Sequence, residues 1–159
     1  MKQGYGPIRG DFAQKILIEN LTDISCAESG YPRPHQVRSC EIEAIPDPDA
    51  MITLLLPEEL VAALGLEIFD EQSYRAPDGQ AISSFCASAI RLTVFGREMM
   101  TDCLVGPAGC RPVLGHLVMS RLDLICDAES GVLRPRADVL IIKMRTLSGA
   151  RSYQAAGRG

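Results

Sequence analysis

The sequence is poor in the residues that build metal, haem or aromatic-rich sites. Its 159 residues contain no tryptophan, two histidines and only 5% aromatic side chains. The two histidines, His35 and His116, do not stand at a zinc-finger spacing, so we predict no metal site and no cofactor. No run approaches ~20 apolar residues, so no transmembrane helix and no membrane partner is predicted. Met1–Pro7 lacks the apolar core of a signal peptide, which favours a cytoplasmic protein.

The charge and composition are those of an ordinary globular domain. Apolar residues make up 47% of the chain and the net charge is −4. That apolar content is enough to bury a core without disulfides, and the length suits a single domain. A negative overall field does not attract nucleic acid or anionic lipid, so no nucleic-acid partner is expected.

The six cysteines are scattered along the chain, and no two form a C-x-x-C pair. In a cytosolic protein, isolated cysteines favour reduced, buried thiols. Cys103 and Cys110 flank a loop and are candidates for pairing, so a cysteine-based redox or metal module stays open as an alternative function.

Short strand patterns separated by Gly and Pro dominate the middle of the chain. Val37–Ile45 alternates apolar and polar residues, as does Ala89–Phe95, which is typical of half-buried strands. Shorter strands are predicted over Lys15–Ile18, which ends before the polar stretch around Asp23, and over Ala81–Phe85, which follows the hairpin turn Pro77–Gln80.

Two short helices are predicted as well. Pro57 suits the first turn of a helix that ends at Gly65, and a second helix is predicted over Gly115–Leu122. This pattern predicts an all-β, barrel-like domain with one or two short helices.

An acidic turn, Asp47-Pro48-Asp49-Ala50, separates two predicted strands. By itself such a turn indicates only a polar strand end. About sixty residues downstream, a second signal appears at Val113-Leu114-Gly115, an apolar pair followed by glycine. A carboxylate cluster that binds a divalent cation is a further interpretation of the turn.

The order of several short motifs resembles the retropepsin-like aspartic protease family, especially its bacterial single-domain members. The motifs that carry the resemblance are Leu54-Leu55-Leu56-Pro57, Leu64-Gly65-Leu66, Ala76-Pro77-Asp78-Gly79, Leu104-Val105-Gly106, Val113-Leu114-Gly115 and Leu122-Asp123-Leu124. The resemblance implies a retropepsin-like acid-protease barrel that forms a homodimer. It also implies a flap, Arg75 to Ile82, over a groove that holds an extended peptide or protein segment.

The catalytic turn departs from the family pattern Asp-Thr/Ser-Gly-Ala. Counting forward from Glu41 places Asp47 at the catalytic aspartate, Pro48 at the Thr/Ser, Asp49 at the Gly and Ala50 at the Ala. Counting back from Pro57 places Pro48 at the aspartate. The upstream count retains both Asp47 and Ala50, so it is preferred, and Asp49 is the substitute candidate.

The chemistry of the family explains why this departure matters. Aspartic proteolysis needs two nearby carboxylates that share one proton, one from each subunit. Pro48 supplies neither a hydroxyl nor an N–H, and Asp49 adds a charge where the family has its smallest residue. The leading hypothesis is therefore a degenerate member that binds a peptide or partner with weak or no hydrolysis. The alternative is an active aspartic endopeptidase that uses Asp47 from each subunit.

The ends of the chain are predicted to lie outside this domain. Residues 1–13 are expected to be flexible, and residues 14–136 form the retropepsin-like domain. Residues 137–147 include the apolar run Val139–Met144, which suits an extra strand or an interface segment. Residues 148–159 are small and polar and are expected to be disordered.

Overall fold

The computed structural model of the protein describes residues 12–30, 36–75, 79 and 81–136. Of the predicted flexible segment 1–13 it describes only residues 12 and 13. The predicted segments 137–147 and 148–159 lie outside the described residues.

The described residues form nine strands and three short helices. In chain order they are β1 (Gln14–Asn20), α1 (Leu21–Ser29), β2 (Ser39–Asp47), β3 (Leu54–Pro57), α2 (Glu58–Ala63), β4 (Glu67–Arg75), β5 (Ala81–Val94), β6 (Arg97–Gly106), β7 (Val113–Gly115), α3 (His116–Arg121), β8 (Leu124–Cys126) and β9 (Leu133–Pro135). The prediction of an all-β fold with short helices is confirmed. No helix within the described ranges is long and apolar enough to cross a membrane.

Six of the strands close into a barrel. The strand order is β1-β2-β7-β3-β6-β5, and β1 also pairs with β5, which joins the two ends of the series. β4 lies outside this closed ring and extends β5 as a hairpin. β8 and β9 form a separate two-stranded sheet. A closed barrel removes the exposed edges that an open sheet of this size would present.

The barrel interior is filled by aliphatic side chains from nearly every strand. β3 is buried at all four positions. Because β3 lies between β7 and β6, it has strand neighbours on both sides. Such a strand reads as a continuous apolar run rather than an alternating one. The largest fully buried side chains include Ile16, Ile18, Leu54, Leu56, Leu64, Ile90, Leu92 and Leu114.

Helix α1 was not predicted, because the polar stretch around Asp23 was interpreted as the boundary of the first strand. The structure shows why a helix begins there. Asn20 is its N-cap and its side-chain oxygen accepts a hydrogen bond from the Asp23 N–H at 3.0 Å. Gly30 ends the helix in the left-handed conformation, with φ of +69°. Both signals are the usual ones for helix ends.

Strand β5 is longer than the sequence indicated. The predicted strands Ala81–Phe85 and Ala89–Phe95 are two parts of one fourteen-residue strand, Ala81–Val94. The first part pairs with β4, the second pairs with β1, and β6 pairs along most of its length. A change of partners along one strand produces two separate sequence patterns, which explains why they were interpreted as two elements.

Candidate functional site at the acidic elbow

Residues 47–50 are here called the acidic elbow. They follow β2 in the chain and precede β3, and β7 lies between these two strands in the sheet. β7 pairs in parallel with β2, with Asp47 opposite Gly115. On its other side β7 pairs antiparallel with β3, with Leu114 opposite Leu54. The first residue of the elbow and the last residue of the downstream Val113-Leu114-Gly115 motif are therefore neighbours in the sheet. The structure thus brings together the two motifs that the sequence singled out.

The backbone of the elbow makes a tight turn around the Asp47 carboxylate. The Asp49 N–H donates to Asp47 Oδ1 at 3.0 Å, and the Ala50 N–H donates to the Asp47 carbonyl at 3.2 Å. In the family pattern, the glycine at the Asp49 position is expected to present its N–H to the carboxylate. Asp49 makes that same hydrogen bond without a positive φ.

Gly115 is required by the close approach of the loop that follows the elbow. A Cβ atom at this position would overlap the carbonyl of Ile52. The Gly115 N–H donates to the Thr53 carbonyl at 2.8 Å, and the His116 N–H donates to the Ala50 carbonyl at 2.8 Å. These two hydrogen bonds connect the elbow, and the loop directly after it, to the start of α3. The glycine of the motif is thus explained by packing alone, whatever chemistry the elbow performs.

The two elbow carboxylates differ in their surroundings. Asp47 is half-buried, whereas Asp49 is exposed. Both lie near the thiol of Cys126, which is half-buried on β8. Burial raises the pKa of the Cys126 thiol, and the negative charges of Asp127, Asp47 and Asp49 raise it further. β8 lies beside the elbow, because Cys126 and Pro48 line the same groove.

A groove of about 420 Å³ opens beside the elbow. Pro48 lines it from the elbow, His116 from the start of α3, and Ile125 and Cys126 from β8. Its polar rim includes Asp123 and Arg136, whose side chains form an ion pair with 2.7 Å between Oδ1 and Nε. A mixed apolar and polar groove of this kind suits a side chain of a peptide or of a second protein subunit.

The hairpin predicted as a flap is present as a two-stranded ladder. β4 and β5 pair from Glu67 opposite Ser88 to Arg75 opposite Ala81. Gly79 has φ of +86°, a conformation that glycine adopts without strain. The remaining predicted tip residues, Ala76, Pro77 and Asp78, lie outside the described residues. A covering role for this hairpin stays a prediction.

All six cysteines lie within the described ranges and are free thiols. Cys103 is buried in the core, where burial raises its pKa to about 12. Cys110 packs against Leu55 and Cys86 in a second apolar cluster, so the possible pairing of Cys103 with Cys110 is wrong. Across the described residues no group of three or more His, Cys, Asp or Glu side chains is placed to hold a metal ion.

Three residues around the elbow were not selected as site residues from the sequence. His116 was interpreted as a surface or helix-start residue. It is the first residue of α3, and it also lines the groove next to Pro48. Cys126 on β8 and Arg136, which directly follows β9, lie far from the elbow in the sequence, and only the folded chain brings them there. The position of His116 directly after the Val113-Leu114-Gly115 motif was the one signal available.

No protein-family model and no curated protein matches the sequence. Among solved structures, the chain is similar to the EIAV protease, solved in complex with the inhibitor HBY-793. The two are 15% identical, the TM-score is 0.47, and the match covers 75% of this chain and 93% of that one.

Proposed function

We propose that the chain is a retropepsin-like aspartic protease domain that works as a homodimer and binds an extended peptide or protein segment with weak or no hydrolysis. The two acidic elbows face one another across the dimer axis, and the β4–β5 hairpin covers the groove between them. The barrel, the order of its elements and the elbow geometry support this proposal. The bacterial single-domain type is the family member that its motifs resemble.

The observation that carries the proposal is the pairing of Asp47 with Gly115 through the inserted strand β7. It places one carboxylate at the end of a strand, in a turn whose Asp49 N–H donates to it. A hydrogen bond from a backbone N–H fixes the orientation of the acceptor side chain. An asparagine at position 47 could accept the same hydrogen bond, so this geometry does not depend on the charge.

Support for a homodimer comes from apolar side chains beside the elbow. Met51 directly follows the elbow and is 68% exposed, and Leu117 on α3 is 42% exposed. The Leu117 N–H donates to the Ile52 carbonyl at 3.2 Å, which keeps the two segments adjacent. Exposed apolar side chains around a polar centre are typical of a protein interface.

Weak hydrolysis follows from the side chains at the second and third positions of the elbow. Pro48 is exposed and has no hydroxyl with which to link the two elbows across the axis. A dimer would gather Asp47 and Asp49 from each subunit, four carboxylates in all. At neutral pH like charges at such distances repel unless some are protonated. The proton-sharing pair that cleavage needs is therefore poorly stabilised.

The active endopeptidase is retained as a second function because of one contact. The Asp49 N–H supplies the hydrogen bond to Asp47 that the family glycine is expected to supply. Relative to the family pattern, the elbow then lacks the hydroxyl at Pro48 and carries the extra charge of Asp49, but it keeps the backbone contact. In this alternative Asp47 from each subunit forms the catalytic pair, one activating water and the other protonating the peptide carbonyl.

Measuring both peptide cleavage and peptide binding distinguishes the two functions. Unfolded protein substrates are incubated with the chain between pH 3 and pH 7, and fluorescent peptides are titrated by anisotropy. We expect peptide binding in the wild type, with Asp47→Asn changing the dissociation constant by less than about threefold. Cleavage is expected to be slow or absent over the whole pH range.

Asp102→Asn is the matched control, because it removes one exposed carboxylate on β6 outside the elbow. Rapid acid cleavage that a statine-type inhibitor blocks and that Asp47→Asn abolishes would establish the endopeptidase instead. Absence of both cleavage and peptide binding would refute both functions.

A further inference from the structure

The β8–β9 hairpin forms one wall of the groove but is not part of the seven-stranded sheet. β8 supplies Ile125 and Cys126 to the groove, and Arg136, which directly follows β9, lies at the rim. Leu124 and Leu133 of the hairpin are buried in the barrel core. Apolar burial is non-directional, so it holds the hairpin against the barrel without fixing its orientation.

Arg97, the first residue of β6, donates hydrogen bonds to both ends of this hairpin. Its Nη1 donates to the Leu122 carbonyl at 2.8 Å and to the Asp123 carbonyl at 2.9 Å, directly before β8. Its Nη2 donates to the Arg136 carbonyl at 3.0 Å, directly after β9. One guanidinium therefore joins positions that lie 13 residues apart in the chain. Hydrogen bonds from a charged donor are stronger than those between neutral groups, and they are directional.

The two ends of the hairpin are also joined to each other. Asp123 has φ of +54° at the point where the chain turns from α3 into β8. The Arg136 N–H donates to the Asp123 carbonyl at 3.0 Å, and Arg136 Nε donates to Asp123 Oδ1 at 2.7 Å. The Asp123 carbonyl thus accepts from both Arg97 and Arg136. The contacts that fix the base of the hairpin therefore also orient the arginine at the groove rim.

A tight turn of the barrel fixes the position of Arg97. Val94 lies opposite Arg97 in the β5–β6 ladder, so Phe95 and Gly96 are the two residues that connect these strands. Both have positive φ, +52° and +72°, as in a type I′ turn. A two-residue turn sets the register of the strands that it joins. The guanidinium therefore reaches the hairpin from a well-fixed part of the barrel.

We propose that Arg97 is a positioning residue for the peptide groove: it holds the β8–β9 hairpin at the distance from the acidic elbow that a bound peptide requires. The proposal rests on the proposed function, since it takes the occupant of the groove to be a peptide. Arg97 is not among the residues that line the groove, so it acts through those that do. A planar guanidinium reaches both ends of the hairpin at once, whereas a lysine ammonium is a single point of charge.

The first measurement is peptide binding by the full chain, followed by fluorescence anisotropy. We expect roughly tenfold weaker binding in Arg97→Gln, which removes the charged donors. Arg97→Lys keeps the charge but holds one end of the hairpin at a time, and we expect about threefold weaker binding. Arg91→Gln is the matched control, because Arg91 Nε donates to Glu19 Oε1 at 2.9 Å between β5 and β1, away from the hairpin. We expect it to change binding by less than about twofold.

The second measurement separates the position of the hairpin from the stability of the fold. Asp47→Asn with Asp49→Asn is introduced into the wild type and into Arg97→Gln, and the alkylation rate of Cys126 by iodoacetamide is followed. In the wild type the loss of two nearby negative charges speeds alkylation roughly threefold. In Arg97→Gln we expect a change of less than about 1.5-fold, because Cys126 is no longer held beside the elbow. Urea denaturation of each variant measures its free energy of unfolding.

An equal effect of the elbow substitutions on Cys126 in both backgrounds would overturn the proposal. So would a loss of unfolding free energy in Arg97→Gln with unchanged peptide affinity, because it would show a purely structural role. If Arg97→Gln does not fold, Arg97→Lys decides in both measurements. If the wild type binds no peptide, the proposed function fails, whereas the alkylation of Cys126 still decides whether Arg97 positions the hairpin.

Discussion

At the scale of single residues, a backbone contact holds the acidic elbow. The Asp49 N–H donates to Asp47 Oδ1 at 3.0 Å, and the φ of Asp49 is not positive. A glycine is needed where φ is positive or where a Cβ has no room. Neither condition holds at Asp49, so the turn does not require a glycine there. Under the proposed function, hydrolysis is weakened by Pro48, which has no hydroxyl, and by the second carboxylate at Asp49.

The reactivity of the Cys126 thiol depends on the negative charge of the acidic elbow. Its thiol pKa is raised by burial and by the charges of Asp127, Asp47 and Asp49. Removing two of these charges in Asp47→Asn with Asp49→Asn makes the thiolate less unfavourable and lowers the pKa. At a fixed pH near 8 we expect roughly threefold faster alkylation of Cys126, because a larger fraction of the thiol is ionised. Peptide mapping after iodoacetamide treatment measures the rate.

Cys26 on α1 is the internal control for that experiment, since it is also half-exposed and lies on a different element. Its alkylation rate should not change in the double variant. An unchanged rate at Cys126 would show that the elbow carboxylates do not lie beside β8.

At the scale of elements, the short strand β7 organises the site. It contributes only Val113–Gly115, yet it joins β2 to β3 and places Gly115 opposite Asp47. All three of its residues are buried. A strand with neighbours on both sides and no exposed face has little freedom to shift. The position of the elbow therefore depends on this strand more than on the elbow's own sequence.

Gly115→Ala tests this dependence. The added methyl group would overlap the Ile52 carbonyl, and a backbone atom cannot move aside as easily as a side-chain end. We expect a loss of about 3 kcal/mol or more in the free energy of unfolding, because overpacking against the backbone requires the strands to separate. Urea denaturation followed by circular dichroism measures it.

Gly30→Ala is the control, because Gly30 has φ of +69° but open space around its Cβ position. In this variant we expect the free energy of unfolding to fall by about 1 kcal/mol, from backbone strain alone. Equal losses in the free energy of unfolding for the two variants would contradict the close contact between Gly115 and the loop after the elbow.

At the scale of the whole molecule, the elbow side of the barrel carries a pair of exposed apolar side chains, Met51 and Leu117. Apolar contact through this pair suits a second copy of the chain.

Met51→Glu tests the elbow side as a dimer contact. A charge placed in an apolar interface loses its hydration, so we expect dimerisation to weaken at least about tenfold. Sedimentation equilibrium measures the dissociation constant. Met100→Glu is the matched control, because Met100 is 69% exposed on the stretch of β6 that pairs with β5 at Arg91. Equal effects of the two variants would place the interface elsewhere.

The sequence by itself determined the strand-rich character, the helix after Pro57, the hairpin before Ala81 and the order of the motifs between residues 14 and 136. These features follow from local patterns: alternation of apolar residues, and Gly or Pro where the chain turns. Helix α1 was missed because its start depends on Asn20, a polar residue at the end of a strand, and because Asp23 pairs with Arg38 at 2.7 Å.

Only the tertiary structure decided which distant residues meet. The pairing of Asp47 with Gly115, and the position of Cys126 and Arg136 beside the elbow, depend on contacts between segments far apart in the chain. Local patterns specify how each segment folds. The choice of strand neighbours is made by burial of the whole core, to which every strand of the barrel contributes at once.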